Sequence, residues 1–97
     1  MSSRLPVFKL RLYVAGDALN STLAIANLND LRESHPGANF EIDIVDVFCE
    51  PQRALKDGIF MTPTLVKLSP QPVRRIVGTL SHVHTVLQVL GLAEQLP

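Results

Sequence analysis

Polar and apolar positions alternate strictly near the start of the chain. Phe8, Leu10, Leu12 and Val14 fall on one side of an extended segment, and Lys9, Arg11 and Tyr13 on the other. A period of two with aromatic and aliphatic residues predicts a strand over 7–14. Ala15-Gly16-Asp17 breaks it, and the period changes. Ala24, Leu28 and Leu31 recur at i, i+4 and i+7, the stripe of a helix over 22–33, with Asn20 or Ser21 placed to cap its first turn. His35-Pro36-Gly37 ends that helix. Phe40, Ile42 and Ile44 then alternate with Glu41 and Asp43. This is a second strand with an acidic outer face, as edge strands often carry. Strand, helix, strand implies a parallel pair joined by a right-handed crossover. Pro51 suits the first turn of a short helix over 52–57, closed by Gly58. Strands over 64–68 and 73–77 flank Ser69-Pro70-Gln71-Pro72, a stiff connection suited to a hairpin. Gly78 ends the fourth strand. Ser81 is placed to cap a last helix over 81–92, with Val83, Val86, Leu87 and Leu90 as its apolar face. The order is β-α-β-α-β-β-α.

Composition narrows the class. Ninety-seven residues predict one domain, 1–97, large enough for a core without staples. Nine basic and nine acidic residues cancel, so no charge excess points to nucleic acid or an anionic membrane. No apolar run approaches the ~20 residues of a membrane span. Met1-Ser2-Ser3-Arg4-Leu5-Pro6 has no secretory apolar core, and a cytoplasmic location is expected. A single cysteine excludes an internal disulfide and fits a reducing compartment.

Met61-Thr62-Pro63-Thr64 changes the picture. Proline cannot donate into a ladder, so it belongs at the start of the strand, and an X-Pro bond is the one place where a cis peptide is cheap. This segment and the element order resemble the thioredoxin-like fold, in which such a Thr-Pro-Thr faces a catalytic cysteine pair at the N-terminus of the first helix. Here that place reads Gly16-Asp17-Ala18-Leu19-Asn20-Ser21, without cysteine. Cys49 follows the second strand instead and reads as a small half-buried hydrophobe. Ser21, where some glutathione transferases keep an activating serine, reads as a helix cap. His35, His82 and His84 form no metal-ligand spacing, and no cofactor is expected. Asp43 and Asp46 face opposite sides of their strand, and Asp46, just before the strand's end, is open to a buried or a capping role. Arg74 and Arg75, adjacent in a strand, send their guanidinium groups to opposite faces. Two accounts stay open for them, namely packing with a surface ion pair or a fork for a partner's carboxylates.

The chain also resembles the KaiB family of circadian clock proteins. The residues that carry the resemblance are Leu10-Arg11-Leu12-Tyr13-Val14-Ala15-Gly16, Asn20-Ser21, Val45-Asp46-Val47, Pro51-Gln52, Thr62-Pro63-Thr64-Leu65 and Pro72-Val73-Arg74-Arg75-Ile76-Val77-Gly78. They span nearly the whole chain. The resemblance implies a non-enzymatic regulator that binds a hexameric ATPase and autokinase of the KaiC type. It also implies two element orders: a resting dimer or tetramer ordered β-α-β-β-α-α-β, and a binding form with the thioredoxin-like order. It places the contact at the second-strand edge and the following helix, on Glu50, Gln52, Arg53, Lys56 and Asp57, with Arg74 and Arg75 as further candidates. The chain departs from the family where an acidic stretch after Pro-Gln becomes Arg53-Ala54-Leu55-Lys56-Asp57, where Gly-Asp-Leu-Ser becomes Gly78-Thr79-Leu80-Ser81, and where a glycine in the last helix becomes Val89. The acidic tail of many clock members is missing as well. These departures motivate a second reading, a KaiB-like module for a different partner such as a sensor histidine kinase or a stress regulator. A third reading is a thioredoxin-fold enzyme using Cys49 or Ser21.

Overall fold

A computed structural model of the chain describes residues 7–92. The opening segment 1–6 and the tail 93–97, on which the expectations about a secretory core and a family-type acidic tail rest, lie outside the described residues. The elements are β1 (Val7–Val14), α1 (Leu19–Ser34), β2 (Asn39–Asp46), α2 (Pro51–Lys56), β3 (Thr64–Ser69), β4 (Arg74–Val77) and α3 (Val83–Leu90). This is the predicted β-α-β-α-β-β-α order of an α/β, thioredoxin-like domain.

The four strands form one sheet in the order β2-β1-β3-β4. β1 and β2 run parallel, in register from Val7 opposite Asn39 to Val14 opposite Asp46. β3 is antiparallel to β1, and β4 to β3. β2 is therefore an edge, which explains why Glu41 and Asp43 are exposed there. A charged edge strand resists pairing with stray chains. The Thr62–Pro63 peptide is cis, as are those before Pro70 and Pro72 in the hairpin connection.

Alternation along β1 builds two apolar layers. Phe8, Leu10, Leu12 and Val14 meet Ala24, Leu28 and Leu31 of α1 and Val86, Leu87 and Leu90 of α3. On the opposite face Tyr13, Val45 and Val66 pack with Ala54 of α2 and Ile59. The two periods read from the sequence thus converge on the same sheet, the larger core lying under α1 and α3. Phe8 and Phe40 add a tilted aromatic pair with ring centroids 5.3 Å apart.

The helix starts differ from the sequence expectation. α1 begins at Leu19 with Ala18 before it and no side-chain cap. Ser21 lies inside the first turn, buried, and its Oγ accepts a hydrogen bond from the Ala15 amide at 2.9 Å. That bond folds the β1–α1 loop back onto the helix, so the hydroxyl is not available to a helix amide. Ser81 does not cap α3 either. The helix starts at Val83 after His82, while Ser81 accepts from the Thr79 hydroxyl at 3.1 Å. Val83, expected on the apolar face, is exposed, because the helix begins too late for its first residue to reach the core. α3 is also shorter than predicted. It stops at Gly91, which takes the left-handed conformation (φ 82°) that glycine supplies at a helix end.

Leu12 has no exposed surface and sits in the central strand between α1 and α3. Leu12→Ala is expected to lower unfolding free energy by about 2–5 kcal/mol, read as a drop in urea midpoint with an unchanged slope.

Candidate interaction face

The antiparallel and parallel pairings bring four loops to one end of the sheet. The C-terminal ends of β1, β2 and β4 and the N-terminal end of β3 all point there. In a thioredoxin-like fold this end carries the chemistry. Here Asp46 organises it: one carboxylate oxygen accepts from the amides of Gly16 at 3.2 Å and Phe48 at 2.9 Å. The capping role open to Asp46 is therefore observed, and it joins the β1–α1 loop to the β2–α2 turn.

Cys49 lies in that turn and is exposed, not half-buried as expected. The turn projects from the sheet end, with no second layer above it. The Asp46 carboxylate pushes the Cys49 thiol up from its usual range, with lesser contributions from desolvation and Glu50. A raised thiol is the reverse of the stabilised thiolate that disulfide chemistry needs. The Ser21 hydroxyl is engaged by Ala15 and sealed from solvent. Neither residue is arranged as a nucleophile. Among the described residues no cluster of three or more His, Cys, Asp or Glu could hold a metal ion. His35 instead pairs its Nδ1 with the Leu31 carbonyl at 2.9 Å.

The expected contact residues fall into distinct groups. On the face of the sheet covered by α2, charged side chains form a continuous chain. Arg53 donates to Glu50 at 3.1 Å and to Asp43. Asp43 also accepts from Arg11 Nε at 3.2 Å, and Arg11 reaches on to Asp57 at 3.0 Å. The buried Tyr13 hydroxyl donates to the same Asp57 carboxylate. Arg75 donates to the backbone carbonyls of Asp57 and, at 3.1 Å, Gly58. It thereby satisfies carbonyls at the C-terminal end of α2, where a cation is also favoured by the helix dipole. Gly58 has a φ of 68° and passes beneath that guanidinium, 3.9 Å from where a side chain would begin. A residue with a side chain there would strain the backbone at the very point Arg75 grips. Arg75 is thus engaged within the molecule by backbone carbonyls, and among the described residues it forms no ion pair.

Arg74 stands on the opposite face of β4, exposed and opposite Lys67. The structure therefore separates the two arginines, as alternation requires. Gln52 and Lys56 project from α2 into solvent. Arg53, the residue behind the apparent charge reversal, is matched by two carboxylates, so its charge is largely answered within the molecule. Beside Gln52 and Lys56 stands a residue the sequence pattern did not single out: Leu55 on α2, 74% exposed. Phe48 and, beyond α2, Phe60 and Met61 are exposed too, Phe60 at 91%. A six-residue helix has too few turns to show a stripe, so nothing in the periodicity marked Leu55 as outward. Phe60 and Met61 sit in a loop, where periodicity has no meaning.

This is a thioredoxin-like domain without a redox centre, presenting charged and apolar side chains around one end and one short helix. Residues 11–92 match the KaiB domain, and the chain belongs to the KaiB family, a family of non-enzymatic clock proteins. The circadian clock oscillator protein KaiB of Acaryochloris marina is 42% identical over 92 residues, covering 95% of this chain and 88% of that protein. The KaiB of Thermostichus vulcanus is 44% identical over 85 residues, covering 88% and 79%. Among solved structures, the N-terminal domain of Synechococcus elongatus SasA superposes with a TM-score of 0.74 at 20% identity, covering 100% of this chain and 94% of that one. Chloroplastic thioredoxin z superposes at 0.71 with 17% identity, covering 94% and 95%. At those identities the likeness shows the fold. No helix among the described residues is long and apolar enough to cross a membrane.

The carboxylate network sets an acid limit on stability. The Tyr13 hydroxyl, then Arg11, holds the Asp57 carboxyl below its usual range, against an opposing effect of burial. For Asp43 burial acts upward, and the bonds from Arg53 and Arg11 outweigh it, leaving the carboxyl lowered. A carboxyl lowered in the folded state takes up its proton more readily when the chain is unfolded. Its stabilisation is therefore complete above the usual carboxylate range, about pH 4, and is lost as pH falls through the folded value. Urea midpoints at pH 7, 5, 4 and 3 are expected to drop steeply only at the acid end, and Asp57→Asn to flatten that drop. Tyr13→Phe is expected to cost about 1–3 kcal/mol at pH 7, because a partly buried carboxylate loses its donor.

Proposed function

We propose that this chain is a non-enzymatic clock regulator that binds a KaiC-type hexameric ATPase and autokinase and modulates its phosphorylation or ATPase cycle. The contact is α2 with the exposed edge of β2. The observation that carries this reading is Leu55, an apolar side chain 74% exposed on α2 and flanked by Gln52 and Lys56. An aliphatic anchor within a polar rim is the arrangement by which protein interfaces concentrate binding energy. Glu50, Gln52 and Lys56 contribute the rim. Arg53, Asp57 and Arg75 act behind it, fixing α2 against β2, β1 and β4 through their hydrogen bonds. Arg74, on the other face, stands apart from this group.

The free edge of β2 supports the same assignment. Among the described residues its outward backbone groups have no neighbouring strand, and the charges beside them suit a polar partner surface better than a second copy of the same acidic strand. The resting dimer or tetramer, with its β-α-β-β-α-α-β order, belongs to the same proposal. A resting state of that kind makes association slow, because the binding-competent order is only part of the population.

The experiment is light scattering on a sizing column, with the chain alone and then mixed with its host's KaiC-type hexamer and ATP. A slowly forming complex is expected, weakened at least about tenfold by Leu55→Asp and by Lys56→Glu. A complex indifferent to both substitutions would place the contact elsewhere. No complex, with the free chain a monomer, would assign the scaffold to another partner, with a sensor histidine kinase first in line.

A further inference from the structure

We propose that the cavity between the β3–β4 hairpin and the C-terminal end of α3 is an oxyanion site, with Lys67 as its floor and Arg74 as its rim, and that its ligand is a dianionic phosphate group. This site faces away from α2 and is independent of the clock partner.

The argument begins with Lys67. It lies in β3, next to the central strand, on the face that α1 and α3 cover, and only 5% of its surface is exposed. Lysine is almost never buried to this degree without a partner, because an unpaired ammonium in a poorly solvated place is strongly unfavourable. Among the described residues no ion pair reaches it. Nor is any fully sealed side-chain nitrogen or oxygen left without a hydrogen bond. Lys67 lines a cavity of about 490 Å³ together with Arg74.

Arg74 makes the site dicationic. It is the cross-strand partner of Lys67 in the β3–β4 ladder, so both side chains leave the same face of the sheet from opposed positions. Like charges placed directly opposite each other destabilise a sheet, and among the described residues no carboxylate lines the cavity to offset them. Stability alone does not account for the pair. Two cations match the charge of a phosphate monoester, close to −2 at neutral pH. Lysine supplies a point charge and arginine a two-pronged donor. Gln71 and Gln88 add amide groups at the wall, and Phe8 and Pro72 add apolar surface that an organic phosphate would cover and a bare ion would not. The volume lies within the range of small-molecule sites.

The full chain is titrated with orthophosphate, with adenosine monophosphate and with adenosine, following amide resonances around residues 67–74 and 88–91. Both phosphates are expected to bind in the millimolar range or tighter and adenosine not to bind. Tighter binding of the nucleotide than of the free ion would assign the site to a phosphate ester, and the reverse to inorganic phosphate. Lys67→Met keeps the volume of the buried stem, and Arg74→Gln changes an exposed side chain. Each is expected to weaken binding at least about tenfold while thermal unfolding stays cooperative. The proposal is overturned if neither phosphate shifts these resonances, if adenosine binds as well as its phosphate, or if both variants bind like the parent. It is also overturned if binding appears only in Glu94→Gln, since the chain's own carboxylate would then be the occupant.

Discussion

Three elements far apart in sequence meet at Asp57. Its carboxylate takes a proton donor from Tyr13 in the middle of the sheet and another from Arg11 beside it, and its backbone carbonyl takes one from Arg75 on the last strand. α2 has only six residues, far fewer than an isolated helix needs to persist in water. Ala54 is its single buried residue, so apolar packing does not fix its orientation. The charged bonds around Asp57 do, and α2 in turn positions Leu55 and Lys56. The presentation of the interaction face thus depends on a hub behind it rather than on the exposed residues themselves.

A second aspartate, Asp46, explains why this scaffold carries no reactive thiolate. In a thioredoxin-like fold the sheet end concentrates chemistry because a helix N-terminus lowers a thiol there. In this chain the acidic group at that end, Asp46, accepts amides from two loops and raises the one thiol nearby. A carboxylate that stiffens the loops is incompatible with a reactive thiolate beside it. The end is consequently a rigid platform for exposed Phe48, Phe60 and Met61. Aromatic side chains, with only two side-chain torsions each, lose little conformational freedom on contact, and a methionine adapts its shape to the surface it meets.

The element order, the edge character of β2 and the opposed directions of Arg74 and Arg75 were legible from periodicity, because alternation and the 3.6-residue stripe are local properties. The caps were not. Ser21 and Ser81 have the right chemistry at nearly the right place, but each hydroxyl is taken by a closer partner, the Ala15 amide and the Thr79 hydroxyl. Competition between local donors for each hydroxyl is decided by loop geometry that no spacing reveals. The chain of ion pairs from Glu50 to Asp57 was equally hidden, since it links positions such as Arg11 and Asp57 that are 46 residues apart. Read in isolation, Arg53 looked like a reversal of charge; in place, Asp43 and Glu50 answer it. Leu55 escaped notice for lack of a period, and Lys67 because a lysine reads as solvent-facing until the helices on its face are known.

The proposed second arrangement of the C-terminal half would keep β1, α1 and β2 with their Arg11–Asp43 bond and give up the elements after β2. The junction before α3 offers little resistance. Leu80 sits there with a φ of 66°, a left-handed conformation that costs a branched residue about 1–2 kcal/mol. Its side chain is buried in the main core, worth about 1.5–3 kcal/mol. The two effects nearly cancel, so docking this turn adds little net preference for the observed order. The bonds that α2 and β4 make through Asp57 have no such opposing strain. Arg11 and Tyr13 come from the part of the chain that would stay in place and Arg75 from the part that would move. In that proposal the preference between two orders would be set less by the core, which aliphatic residues can repack, than by whether these three donors converge on one aspartate.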